Sequence, residues 1–214
     1  MGFAPVRGTL TGFMRYIPEV EIIRSKRKEK GGNQENIESF IDSVWQITIG
    51  DSAESWAKAF GKLLAGKYPA KKLVIDLSEI RPAGSRLKGY GWICSGDAQL
   101  AVAFGKIAKI LNKRAGRHLS LIDILDVGNL IGTVLSSRRS AEIALCDYGD
   151  PEWREFAMAK KDCWKNGNEH RQQSNNSLVF RSKPTKEQLA EIFQMMQDAG
   201  GSEPGFINAE AALK

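Results

Sequence analysis

From residue 44 onward, short apolar runs alternate with amphipathic helical patterns, and this alternation limits the chain to very few folds. "VWQITIG" (44–50) reads as a strand, and "DSAESWAKAFGKLLAG" follows it with Trp56, Phe60, Leu63 and Leu64 on one helical face. Asp51 or Ser52 can cap that helix and Gly66 can end it. "KLVIDLS" (72–78) is a buried strand. A later helix places Leu100, Ala103, Phe104, Ile107, Ile110 and Leu111 at helical spacing, and "SLIDILDVGNLIGTVL" is another, with Ser120 and Asp123 resembling a capping box.

"AEIAL" (141–145) and "SLVF" (177–180) read as further strands. Between them Asp150 is placed to cap a helix with Pro151 at its first position. The last helix opens on a Thr185–Gln188 capping box, is expected to bury Leu189, Ile192, Phe193 and Met196, and stops at Gly200–Gly201. Strands alternating with helices in this way define an α/β fold with largely parallel strands, whose functional loops lie at the carboxyl ends of the strands. Three loops qualify: residues 79–97, residues 136–140, and those ahead of "SLVF".

Composition excludes several classes. The 214 residues are 42% hydrophobic and 26% charged, as in ordinary globular domains, and no apolar run is long enough for a membrane span. The N-terminus lacks the basic-then-apolar plan of a secretory signal. Cys94, Cys146 and Cys163 are odd in number and fit no zinc or CxxC spacing, which fits a reduced, cytoplasmic protein. His118 and His170 stand alone and read as structural and surface residues, and the five tryptophans as core and interface.

The formal net charge of +6 suits polyanionic ligands, and "RSKRKEK" (24–30) concentrates it. That run is either a solvated loop or a nucleic-acid contact. In "RPAGSRLKGYG", cations at 81, 86 and 88 are interleaved with glycines, a composition that suits phosphate but equally a plain connecting loop; it is not a Walker A motif. "SSRRSA" (136–141) sets Arg138 and Arg139 among hydroxyls, either to bind planar anions and base edges or to pair with Asp147 or Asp150.

Six stretches then occur in a recognisable order: "DLSEIRPAGSRLKGYG", "SGDAQL", "NLIGTVLSSRRSAEIAL", "DYGDPEWREFAMAKKD", "QSNNSLVF" and "GGSEPGFIN". With them the chain resembles the middle of an adenosylcobalamin-dependent (class II) ribonucleotide reductase, nearest the monomeric ribonucleoside-triphosphate type and its phage relatives. The resemblance implies about the first half of a ten-stranded α/β barrel, an N-terminal segment over 1–43 and an incomplete barrel domain over 44–214. It implies ribonucleoside-triphosphate substrates, a dNTP effector, a thioredoxin-type reductant, and B12-initiated thiyl radical chemistry in which a cysteine pair supplies the electrons.

Residue by residue, Asp51 matches the carboxylate that contacts the effector's sugar, and Arg81 and Lys88 the two cations of the effector-phosphate loop. Ser136, Ser137, Arg138 and Arg139 match the specificity loop between effector and substrate base, and Asn175 and Asn176 fall on the substrate side. Cys94, Cys146 and Cys163 match no catalytic position, and the motif Asn-Pro-Cys-(Gly/Ala)-Glu-Ile, expected soon after "GGSEPGFIN", is not present in this sequence. The expectation is therefore a reductase portion that is inactive alone and completed by another reductase chain, with no direct contact to membrane or nucleic acid. A non-catalytic dNTP-binding module and a basic nucleic-acid-binding domain are the alternatives.

Overall fold

The computed structural model of the chain describes residues 2–87, 93–134 and 142–212. In chain order its first elements are β1 (Gly2–Phe3), β2 (Glu19–Ile23), β3 (Ile37–Ile41), β4 (Val44–Thr48), α1 (Ala53–Ala65), β5 (Lys72–Asp76), α2 (Asp97–Lys113) and α3 (Leu121–Gly132). Then come β6 (Glu142–Asp147), α4 (Trp153–Ala157), β7 (Ser174–Phe180), α5 (Lys186–Ala199), β8 (Gly205–Asn208) and α6 (Ala209–Ala212), with a 3-10 turn over Glu169–Gln173 leading into β7. The fold is mixed α/β, with two four-stranded sheets in two compact units.

One unit comprises Gly8–Leu119 and Thr133–Arg139. Its sheet has the order β2-β5-β4-β3, with β2, β5 and β4 parallel and β3 antiparallel to β4. The central strand β5 is a continuous apolar run because a parallel strand is covered on both faces. Trp45, Ile47, Leu73 and Ile75 are buried with Leu63 of α1 and Leu100, Phe104, Ile107 and Leu111 of α2. Phe60 stacks on Phe104 at 4.2 Å between ring centroids. Each such side chain contributes about 1.5–3 kcal/mol by leaving water.

The helix ends follow local chemistry. Of the two candidate caps of α1 it is Ser52 that accepts from the Ser55 N–H, and Gly66 closes the helix at φ 52°. The first forty residues contribute two strands, β2 and β3, to this sheet. β3 and β4 are joined by Asp42 and Ser43, both at positive φ (51° and 65°), in the left-handed two-residue turn that suits the twist of a hairpin.

The other unit comprises Met1–Arg7, Ser120–Gly132 and Ser140–Lys214, and its sheet is wholly parallel in the order β1-β6-β7-β8. Ala144, Cys146, Leu178 and Phe180 face Leu121, Leu125, Trp153, Phe156 and Ile192 of the helices. Ile143 and Asn175, one residue out of phase, point to the opposite face and are exposed.

The Ser120–Asp123 capping box forms, with Ser120 Oγ donating to Asp123 Oδ2 and accepting from the Asp123 N–H. The Thr185–Gln188 box forms too, and Gly200 ends α5 at φ 69°. Two expectations need correction. Asp150 does not cap a helix at Pro151: its carboxylate accepts from the Glu152 N–H at 2.8 Å in a turn, and α4 starts later, at Trp153. On α5 only Ile192 is fully buried, while Phe193 is exposed and meets Phe206 of β8 at its edge. Glu152 accepts from the Leu121 N–H at 2.7 Å and lies 4.0 Å from Arg7, which also pairs with Asp150 at 3.2 Å.

Candidate functional site

Parallel pairing of β4 with β5 brings their carboxyl ends together, with Thr48 opposite Asp76 and the Ile49 N–H donating to Asp76 O. The segments leaving the two strands therefore emerge side by side, where ligands bind in open α/β sheets. Asp51 leaves β4 and Arg81 leaves β5. The Arg81 guanidinium donates through Nε to Asp51 Oδ2 at 2.7 Å, and the Arg81 N–H donates to Oδ1 at 3.1 Å. Asp51 is only 4% exposed.

The segment from β2 to β3 lies over this pair. A Cβ on Gly31 would run into the buried Asp51 carboxylate, so the close approach there requires glycine, and one on Gly32 would displace the side-chain ends of Glu79 and Arg27. Glu79 gathers the segment: its Oε2 accepts from Arg27 Nη2 at 2.7 Å and from the Asn33 N–H at 2.6 Å, and its carbonyl accepts from the Gly32 N–H at 2.8 Å. Asn33 O accepts from the Asp51 N–H at 2.8 Å. Asn36 accepts from the Gly50 N–H and donates to Ser55 O.

The basic run is thus not simply a solvated loop. Arg24 pairs with Asp97 at 2.6 Å in the first turn of α2, and that hydrogen bond raises the arginine's pKa and lowers the carboxylate's. Arg27 is taken by Glu79, while Lys26, Lys28 and Lys30 remain exposed without a partner among the described residues. Sequence reasoning missed Gly31, Gly32, Arg27 and Glu79. Their signal was a Gly-Gly pair directly after the cations.

The arms of the 79–97 loop are ordered by backbone bonds from the Gly84 N–H to Cys94 O and from the Cys94 N–H to Ser85 O. Lys88 lies outside the described residues, as do Ser136, Ser137, Arg138 and Arg139. Ser95 Oγ donates to Val134 O at 3.1 Å, beside the point where the arginine loop departs. The acidic partners weighed for Arg138 and Arg139 are engaged elsewhere, Asp147 by Arg181 and Asp150 by Arg7.

Asn175 and Asn176 belong to the other unit and therefore to a different sheet from Asp51 and Arg81. Asn175 is exposed. Asn176 is buried: its side-chain oxygen accepts from Ser174 Oγ and its N–H donates to Glu203, which is itself paired with Lys160 at 2.8 Å.

His170 is a buried residue rather than a surface one, held at 2.9 Å by Asp126, which also takes Arg171 through Nε at 2.6 Å and Nη2 at 2.8 Å. Asn129 and Glu142 are buried with polar atoms that have no partner among the described residues. Of the tryptophans read as core and interface, Trp45 and Trp153 are buried and Trp164 is 71% exposed. All three cysteines are buried and free. Burial pushes the Cys146 thiol up to about 12, with the nearby carboxylates of Asp150, Asp147 and Glu152 adding to the shift, and burial raises Cys94 as well. Neither of these two environments favours a thiolate.

Residues 25–111 match the family model described as "B12-dependent ribonucleotide reductase, insertion domain", and this range falls inside Gly8–Leu119. The fold is shared with a crystal structure of a B12-dependent (class II) ribonucleotide reductase. The TM-score is 0.72 at 26% identity, over 97% of this chain and 30% of that one. The class is therefore that of the class II reductases.

In sequence, the chain is 36% identical over 174 residues to the adenosylcobalamin-dependent ribonucleoside-triphosphate reductase of Lacticaseibacillus paracasei, covering 77% of this chain and 22% of the relative. It is 37% identical over 154 residues to that of Lactobacillus helveticus, covering 68% and 20%. The chain belongs to the adenosylcobalamin-dependent ribonucleotide reductase family, and it spans about a fifth of the length of the curated relatives it matches.

Adenosylcobalamin is the cofactor of this family, but the described residues do not fit a corrin. His170 is committed to Asp126, and His118 is exposed in a bridge with Thr11. The groove between β2 and α2, lined by Val20, Ile22, Ala101, Val102, Gly105, Lys106 and Lys109, offers no histidine to a cobalt. Among the described residues no three His, Cys, Asp or Glu side chains could hold a metal ion, and no helix is long and apolar enough to cross a membrane.

Proposed function

We propose that this chain is the nucleotide-sensing part of a cytoplasmic ribonucleoside-triphosphate reductase, forming about the first half of its ten-stranded barrel and lacking the radical and redox cysteines. One observation carries the reading: in a member of this family, a buried carboxylate and a guanidinium converge at the carboxyl ends of adjacent parallel strands. Asp51 accepts from a hydroxyl of the effector's sugar. Arg81 and Lys88 neutralise its phosphates, a task that suits charge-assisted hydrogen bonds.

Ser136, Ser137, Arg138 and Arg139 form the specificity loop, with Arg138 directed to the substrate base and Asn175 and Asn176 on the substrate side. A bound dNTP shifts the loop between arrangements only by as much as it binds one better than the other. Reduction itself, with adenosylcobalamin and a thioredoxin-type reductant, takes place on other parts of the reductase. Direct contact with membrane or nucleic acid is not part of this reading. The alternative is a dNTP-binding module without catalysis, which the deeply buried thiols of Cys94 and Cys146 also suit.

Calorimetry of this chain against dATP, dCTP, dGTP and dTTP tests the site. At least one should bind saturably, and Arg81→Gln should weaken it roughly ten- to hundredfold, as expected for a charge-assisted bond of about 1.5–3 kcal/mol. Heat from no nucleotide, or an unchanged affinity in Arg81→Gln, would refute the assignment. Reductase activity on adding a chain that carries the missing cysteines separates the enzyme from the binding module.

A further inference from the structure

The Asp51 carboxylate is closed to any ligand in the arrangement described. Arg81 occupies both of its oxygens, and the backbone of Gly31 lies directly against Oδ2. We propose that residues 27–33 are a strap latched shut by Glu79, which a nucleotide must lift to reach Asp51. This rests on the reading of Asp51 as the ligand of the effector's sugar.

Three features distinguish this strap from an ordinary connection. Its side-chain fastening centres on one carboxylate oxygen, Glu79 Oε2, which takes both the Arg27 guanidinium and the Asn33 N–H, with Arg27 Nε also donating to the neighbouring Ser78 O at 2.9 Å. Glu79 lies two residues before Arg81, so lifting the strap and freeing Arg81 from Asp51 disturb the same short segment. Gly31 lets the strap lie flat on the Asp51 carboxylate, where any side chain would hold it off.

A site open only for a fraction of the time has its affinity reduced by that fraction. Weakening the latch therefore tightens nucleotide binding, the opposite sign to the loss of a residue that holds nucleotide. The backbone bonds from Gly32 N–H to Glu79 O and from Asp51 N–H to Asn33 O bring the strap back when the site empties.

The test compares the wild-type chain with Glu79→Gln, Arg27→Gln and Gly31→Ala by calorimetry with the four dNTPs and by amide hydrogen exchange of residues 27–33 without nucleotide. The expected result is faster exchange in all three and an affinity higher by roughly threefold or more. Arg27→Gln alters a partly exposed side chain, so the test survives if either of the other variants fails to fold. Weaker or unchanged binding alongside faster exchange would overturn the proposal, because the strap would then belong to the bound state or be irrelevant to it. Unchanged exchange would also overturn it, since Glu79 would not be the latch. Wild-type chain that binds no dNTP would refute the reading of Asp51 itself, whatever the exchange data show.

Discussion

At the scale of single residues, two buried carboxylates with opposite surroundings predict the pH response. Burial alone would raise Asp126, but the hydrogen bonds and charges of Arg171 and His170 outweigh it and hold the carboxyl below its ordinary value. Its stabilisation is present above the ordinary carboxylate range and is lost as pH falls through the lowered value. Among the described residues Glu142 has no such partner. Burial raises it, so its contribution is present below the ordinary range and lost as pH rises through the raised value.

Glu142→Gln should therefore melt higher than wild type at neutral pH, and the advantage should vanish once the glutamate is protonated. Denaturation profiles of both proteins from neutral to acid pH check this; a lower melting temperature at neutral pH would contradict it. None of this was legible in sequence. "NEHRQQ" reads as surface because its cations and amides are polar, and nothing local reveals that α3 brings Asp126 beside it.

At the scale of elements, the sequence is most informative where one local rule suffices. The continuous apolar run of β5, the helical stripe of α2 and the capping boxes of α3 and α5 were all readable. In α5, Thr185→Ala removes the acceptor for the Gln188 N–H and should cost about 1 kcal/mol. Urea titration should show that loss, and hydrogen exchange should place the added fraying in the first turn of Lys186–Ala199; uniform exchange would mean the cap is idle.

The hidden elements are those that pairing creates. β2 carries alternating glutamates that only the Lys72 bridge from β5 explains, and the turn before β4 uses Asp42–Ser43 where Asn-Gly would have announced a hairpin. The candidate site divides the same way. Asp51 and Arg81 are candidates by resemblance, whereas Glu79 and Arg27 are joined by contacts between distant segments that spacing does not encode.

At the scale of the whole molecule, a ligand that binds only the folded form stabilises it by mass action, about 2.7 kcal/mol at a hundredfold excess over Kd. If the site lies where we place it, that gain belongs to the unit containing Asp51. Saturating dNTP should slow amide exchange at residues 50–56 and 79–87 and leave 174–180 and 205–208 unaffected. Protection confined to the latter strands would relocate the binding site.

The carboxylate of Glu152 accepts from the start of α3 and lies near Arg7, just where the chain leaves one unit and later returns to it. A guest whose entry and exit are held at a single post can be lengthened, swapped or deleted without pulling its host apart. Replacing Gly8–Leu119 by a few flexible residues should thus leave the parallel sheet able to form.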